Sequence, residues 1–219
     1  MVNAHKIRAN VAQVSHSTSE SIKRKIFDFE DYLFEKKYSL ELSGIVENKN
    51  LVANNKESLS HATAYHAVWI RNLRELFNEA QKTGYAFENF IDIGSGKGKA
   101  CFYAYTKRIF NNIIGIEFSE PLVEIANRNK VKIKSQTISF INADATEFEL
   151  PKQNNLIFMF NPFDSVVLEK FISNNIEHFR KNNSVIAYAN DIQRLSLTKF
   201  GFETIFRNQS RKISLYQLT

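Results

Sequence analysis

The chain has 219 residues, of which 43% are hydrophobic and 24% charged, and it carries 29 basic against 23 acidic side chains for a net charge of +6. That length supports one domain or slightly more with a full core, and the composition excludes a wholly disordered chain. A single cysteine excludes an internal disulfide and any cysteine-rich zinc site, and it fits a reducing compartment. No apolar run is long enough to span a bilayer, and the N-terminus lacks the apolar core of a secretory signal, so a cytoplasmic protein is expected. The excess charge is uneven, at +1 over residues 1–60, +1 over 61–150 and +4 over 151–219. The densest cluster, Arg128, Lys130, Lys132 and Lys134, has no interleaved aromatic residue and reads as a solvated face rather than a phosphate track.

Upstream of residue 85 the pattern is helical. Between Ser17 and Lys37, the residues Ile22, Ile26, Phe29 and Leu33 share one helical face. Residues 43–58 are polar and read as a loop. Residues 63–82 carry Tyr65, Trp69, Leu73, Leu76 and Ala80 at helical spacing and end at Gly84, which predicts a second helix. His61 and His66 are five apart with no H-E-x-x-H pattern, which argues against zinc.

From residue 89 strands and helices alternate, the signature of an α/β sheet. Asn89–Ile93 is a short apolar run, and Lys99–Tyr105 reads as a helix. Between them lie Gly94, Gly96 and Gly98, three of only seven glycines in the chain. Such clustering marks a backbone that turns tightly or is approached closely. The spacing is wrong for a P-loop, because Ile93 stands where the first glycine belongs and Ala100 where a serine or threonine does. It also departs from the dinucleotide fingerprint, whose third glycine would fall at Lys99. Asp92, two residues before Gly94, would repel a pyrophosphate and suit a ligand bearing an ammonium group, which speaks against a nicotinamide dinucleotide.

The string Asp92-Ile93-Gly94-Ser95-Gly96-Lys97-Gly98 after a strand resembles motif I of the class I S-adenosyl-L-methionine-dependent methyltransferases. The segments at 94–98 (GSGKG), 115–119 (GIEFS) and 161–163 (NPF) are similar to those of small, uncharacterised bacterial members of that family. The resemblance implies a Rossmann-like class I methyltransferase fold with a seven-stranded mixed sheet and helices on both faces. It also implies S-adenosyl-L-methionine as cofactor, S-adenosyl-L-homocysteine as product, and no metal. Residues 85–219 would form the donor-binding domain, and 1–84 a helical extension or lid, with Tyr65, His66 and Trp69 as candidates for the cofactor cover or acceptor pocket.

The remaining strands fit this plan. Asn112–Glu117 ends in an acid 19 residues after Gly98, where a carboxylate can hold ribose hydroxyls; Phe118 follows it, and Ser119 with Pro121 opens a helix. After a third strand at Thr137–Ile141, the resemblance places an adenine contact at Asp144 and Ala145; the alternative is that Asp144 caps a short helix. Leu156–Phe160 is apolar throughout and runs into Asn161-Pro162-Phe163-Asp164, which resembles the N-P-P-[YF] motif of nitrogen methyltransferases without its second proline. There Asn161 would orient an acceptor N–H and border the cofactor, Pro162 would fix the turn and offer its carbonyl, and Phe163 would pack on a flat or cationic group. Asp164 or Ser165 would cap a helix running to Phe179. A fifth strand at 183–189, a helix near 191–199 and a terminal pair at 203–206 and 213–217 complete the sheet. A transferase methylating a nitrogen of a protein side chain or small molecule is expected, with no membrane partner. The alternatives are a non-catalytic module that binds S-adenosyl-L-methionine and an RNA or DNA base methyltransferase.

Overall fold

The computed structural model describes residues 21–47, 51 and 56–218. Seven strands form one sheet: β1 (Asn89–Ile93), β2 (Asn112–Glu117), β3 (Ile138–Asn142), β4 (Asn155–Phe160), β5 (Val185–Ala189), β6 (Phe202–Asn208) and β7 (Ile213–Leu218). Their order is β3-β2-β1-β4-β5-β7-β6, with β1 to β5 parallel and β7 antiparallel to both its neighbours. The seven-stranded mixed sheet implied by the sequence is therefore present. β1 and β5 are buried along their whole length, which is why NFIDI and VIAYA are mostly apolar, with Asn89 and Asp92 the polar exceptions in β1.

The helices are α1 (residues 21–38), α2 (Lys56–His61), α3 (Ile70–Gln81), α4 (Lys99–Lys107), α5 (Glu120–Ile133), α6 (Ser165–Lys181) and α7 (Arg194–Lys199). One face of the sheet packs Phe90, Phe158 and Ala187 against Leu73, Leu76 and Phe77 of α3 and Cys101 and Phe102 of α4. The other packs Ile91, Ile157 and Met159 against Leu168, Phe171 and Ile172 of α6. The chain changes direction between β1 and β4, so their carboxyl ends open the crevice where open α/β sheets bind ligands.

Two expectations upstream of the sheet need correction. Helix α3 starts at Ile70, not residue 63, and residues 62–69 form no helix. They do so because their main chain is bound elsewhere: Tyr65 bridges Val46, and Ala62 bridges Phe163. Trp69 stands at the α3 N-cap without a side-chain cap, and Asp31 of α1 supplies one by accepting from the Ile70 amide at 2.9 Å. The stretch 43–58, expected to be loop, contains the Val46 bridge and the start of α2 among its described residues. The part of the expected 17–37 helix before residue 21 lies outside the described residues.

Candidate active site

The glycine turn is held by β2. The amides of Gly94 and Ser95 both donate to the Ile116 carbonyl, at 2.8 and 2.9 Å, and the Gly96 amide donates to Glu117 Oε2 at 2.9 Å. Glu117 Oε1 accepts from the Ser119 amide at 2.9 Å. Glu117 is buried; burial pushes its carboxyl up, while the amides of Ser119 and Gly96 pull it back toward ionisation. It thus ties the turn to the end of β2 and keeps lone pairs for further donors.

Gly96 sits at φ +53°, and a Cβ there would lie 2.1 Å from the Tyr65 ring. Gly94, at φ +75°, would meet Pro162 Cβ at 2.3 Å. These two positions need glycine for backbone conformation and for close approach at once. Gly98 ends the turn as the N-cap residue of α4.

Residues 61–66 lie over this crevice as a strap. The Asp164 amide donates to the His61 carbonyl (3.0 Å), the Thr63 amide donates to the Pro162 carbonyl (3.0 Å), and Thr63 Oγ1 donates to the Asn161 carbonyl (2.6 Å). His61 Nδ1 lies 2.7 Å from Asp164 Oδ2. Tyr65 donates its hydroxyl to the Leu42 carbonyl at 2.8 Å, and Lys97 Nζ donates to the Ser43 carbonyl at 2.6 Å with the Tyr65 ring beneath it. Burial and the nearby carboxylates of Glu35, Asp92 and Glu117 raise the Tyr65 phenol far above its ordinary range, so it stays neutral. From the far side of the turn, Lys99 forms a buried ion pair with Asp31 at 2.6 Å.

Two cavities flank the strap. The first, about 70 Å³, is lined by Gly94, Glu117, Phe118, Ala143, Pro162 and Phe163 from the sheet side, and by Thr63, Tyr65 and His66 from the strap. One end is apolar, with Leu51, Ala62 and Leu122 packed together beside Phe118. The second, about 540 Å³, is lined by Thr63, His66, Trp69, Asn161, Asn190 and Arg211 among others. Phe160, Thr63, Ala64 and His66 border both. Asn161 and Asn190 stand just beyond the ends of neighbouring strands β4 and β5 at φ +42° and +53°, a conformation uncommon outside glycine and concentrated at functional sites.

The sequence candidates separate accordingly. Gly94, Glu117, Phe118, Pro162 and Phe163 line the first cavity, and Asn161 lines the second. Ser95 is buried and its hydroxyl has no hydrogen-bond partner. Asp92 is buried behind the turn, with Cys101 Sγ 3.7 Å away on α4; burial pushes its carboxyl up to about 8. Asp144 caps a short 3-10 helix, Ala145–Glu147, by accepting from the Thr146 amide and hydroxyl, while Ala143 beside it lines the cavity. Asn161 Oδ1 accepts from the Tyr188 hydroxyl at 3.0 Å. Burial raises the Tyr188 phenol above its usual range, so the contact stays a neutral hydrogen bond. Sequence reasoning did not identify Tyr188 or Thr63. Tyr188 left one signal, a lone hydroxyl in the apolar strand VIAYA; Thr63 left none.

A mixed sheet with a glycine turn after its first strand, an acid at the tip of the second and an Asn-Pro turn after the fourth has the layout of an α/β ligand-binding crevice. Residues 87–210 match the family described as methyltransferase domain, and the chain belongs to that family. It is similar in fold to the ribosomal protein L11 methylase of Lactobacillus delbrueckii subsp. bulgaricus (TM-score 0.51, 12% identity, 68% of this chain and 80% of that one). It is likewise similar to SAH-bound methyltransferase PaMTH1 of Podospora anserina (0.53, 11%, 70% and 80%) and to the methyltransferase domain of bacterial CtHen1-CN (0.50, 14%, 68% and 99%). Comparison with curated proteins gives no match.

Proposed function

We propose that the chain binds S-adenosyl-L-methionine in the cleft between the glycine turn and the strap and methylates a nitrogen presented in the larger cavity. The observation that carries this reading is that the two cavities share Phe160 and the strap, with Pro162 facing one and Asn161 the other. The residues of the cleft fit the cofactor's chemistry. Glu117 provides a buried carboxylate for ribose hydroxyls, and Phe118, Leu122 and Leu51 an apolar seat for a flat base, with Ala143 at its edge and Asp144 and Ala145 next in the chain. Asp92 places latent negative charge behind Gly94, Ser95, Gly96 and Gly98, where a cationic ligand favours its ionised form.

When bound, S-adenosyl-L-methionine supplies an activated methyl group and leaves as S-adenosyl-L-homocysteine. The chain's own residues align and select. Asn161, fixed by Tyr188, keeps a second lone pair on Oδ1 and its amide N–H groups to orient the acceptor. Pro162 holds the turn against Gly94, and Phe163 packs under the strap. No carboxylate lines the larger cavity, so an acceptor that is neutral at its nitrogen suits it better than a lysine ammonium. A protein side chain or small molecule is favoured over a nucleic-acid base, because basic groups do not converge on the cavity beyond Arg211, which pairs with Glu75. Among the described residues no helix is long and apolar enough to cross a membrane and no His/Cys/Asp/Glu group could hold a metal ion. We place the reaction in the cytoplasm without a metal, with residues 85–219 as the donor-binding domain and 1–84 as the helical cover. The test is transfer of labelled methyl to separated protein, metabolite and RNA fractions, with Asn161→Ala as control. Label in the protein or metabolite fraction that this variant loses supports the proposal, and label confined to RNA contradicts the acceptor assignment.

A further inference from the structure

The larger cavity is lined by one polar side chain that the fold leaves unfinished. Asn72 stands in the first turn of α3, borders the cavity and is 6% exposed. Its Oδ1 is shut away from solvent with no hydrogen-bond partner among the described residues. A polar atom taken out of water without a partner loses its hydration and gains nothing in return, so buried carboxamides are almost always bonded. Other buried asparagines of this chain follow that rule. Asn129 bonds the Glu41 amide and carbonyl with the two ends of its side chain, and Asn175 bonds the Leu150 amide and the Phe148 carbonyl in the same way. Asn72 breaks the rule, and it does so on a cavity wall.

The rest of the lining restricts the occupant. Phe160 pairs with Ala189, so Asn161 and Asn190 follow side by side at the ends of β4 and β5. Both border the cavity, as do Trp69 and Phe160. The Trp69 ring is held by its indole N–H, which donates to Asp28 at 3.2 Å. Each carboxamide carries an acceptor and a donor in one plane. Its complement is a planar group with the same two on its own edge, either an amide or an amino group beside a ring nitrogen. A charged group is served less well. No carboxylate among the described residues lines the cavity to receive a cation, and its guanidinium, Arg211, is already paired with Glu75 and lies over the Phe27 ring. At about 540 Å³ the space has the size of a small-molecule pocket.

We propose that Asn72 is a specificity-determining residue that reads the polar edge of the methyl acceptor, and that this edge belongs to a neutral planar amide or heteroaromatic amine. The inference rests on the assignment of the larger cavity to the acceptor. Turning the Asn72 amide about its last torsion brings either end to the cavity, so it can accept from that edge or donate to it. The test is saturation-transfer NMR on the full chain saturated with S-adenosyl-L-homocysteine, which closes the cofactor cleft to the probes. Nicotinamide represents a carboxamide and cytosine a heteroaromatic amine, while nicotinate and benzylamine are charged counterparts. At least one neutral probe should bind in preference to both charged ones, and the stronger of the two names the source of the edge. Asn72→Leu, close in shape and without polar atoms, should weaken that probe about fivefold, the worth of one hydrogen bond. The variant should keep its affinity for S-adenosyl-L-homocysteine and melt no lower than the unaltered chain, whereas loss of a structural amide would lower the melting temperature. In the unaltered chain the side-chain amide resonance of Asn72 should move with the probe, a readout that does not depend on the variant folding. No binding of either neutral probe, equal binding of nicotinate or benzylamine, an unmoved Asn72 resonance, or full affinity or a lowered melting temperature in Asn72→Leu overturns the proposal. Failure of S-adenosyl-L-homocysteine itself to bind would instead refute the cofactor assignment, and this inference with it.

Discussion

Asp92 makes a pH-dependent prediction that needs no substrate. Its carboxyl is pushed from 3.8 up to about 8 by burial, with Glu117 adding to the shift and the Cys101 thiol opposing it. An acid with a raised folded pKa is protonated in the native state and ionised in the unfolded chain between those values. Unfolding in that window releases a proton, so the native state loses stability as pH rises from about 4 to about 8 and levels off above. Each pH unit is worth about 1.4 kcal/mol, so between pH 5 and pH 7 the unaltered chain should lose about 3 kcal/mol relative to Asp92→Asn, which cannot titrate. Urea melts of both proteins at pH 5, 6 and 7 measure this difference, with all other titrating groups common to both. A cationic ligand in the crevice should draw the carboxyl to its ionised form. Binding below pH 8 should therefore release up to one proton and tighten with pH, by at most tenfold per unit. Calorimetry in buffers of different ionisation enthalpy counts that proton. A stability difference that stays constant from pH 5 to pH 7 would refute the reasoning, because it would mean that Asp92 titrates in the ordinary range.

Other expectations concern the strap and the turn. Lys99→Ala leaves Asp31 without its cation in a largely buried place and should destabilise the fold by about 3 kcal/mol in denaturant melts; a loss below about 1 kcal/mol would show that the pair contributes little. Gly96→Ala drives a methyl into the Tyr65 ring at a positive φ, so it should shift the strap and weaken nucleoside binding at least tenfold by calorimetry, whereas unchanged affinity would show that the ring yields freely. Tyr188→Phe removes the hydroxyl that fixes Asn161 and should lower kcat about tenfold with cofactor KM unchanged; a matched rise in KM would place Tyr188 in binding instead.

The sheet was legible because its central strands are largely buried and read as short, mostly apolar runs, as in NFIDI, NIIGIE and NLIFMF. Glycines in a glycine-poor chain and acids at strand tips marked the crevice for the same reason: few other residues tolerate those backbone and burial demands. The strap was not legible. Tyr65 and Trp69 have helical spacing, yet the main chain of Ala62 and Thr63 pairs with Phe163 and Pro162 and that of Tyr65 with Val46, and tertiary hydrogen bonds override local periodicity. The periodicity of α1 was real, but a period reports only that a face is apolar, not which way it points: Ile22, Ile26, Phe29 and Leu33 are exposed. The motif places Asp92 before Gly94 but does not reveal that strand alternation sets its carboxylate beside Cys101 of α4. Asp144 showed its capping role in sequence, since an Asp two residues before a threonine at a short helix start reads equally as a cap.

The central claim, that Glu117 and the glycine turn form a seat for the adenosyl amino acid of the cofactor, is tested most directly by titrating the chain with S-adenosyl-L-homocysteine in a calorimeter, beside Glu117→Ala and beside NADH. We predict saturable one-site binding to the unaltered chain, weakened by about 1–3 kcal/mol in Glu117→Ala, and no heat from NADH. Binding of NADH with none of S-adenosyl-L-homocysteine, or equal affinity for the latter with and without the Glu117 carboxylate, would contradict it.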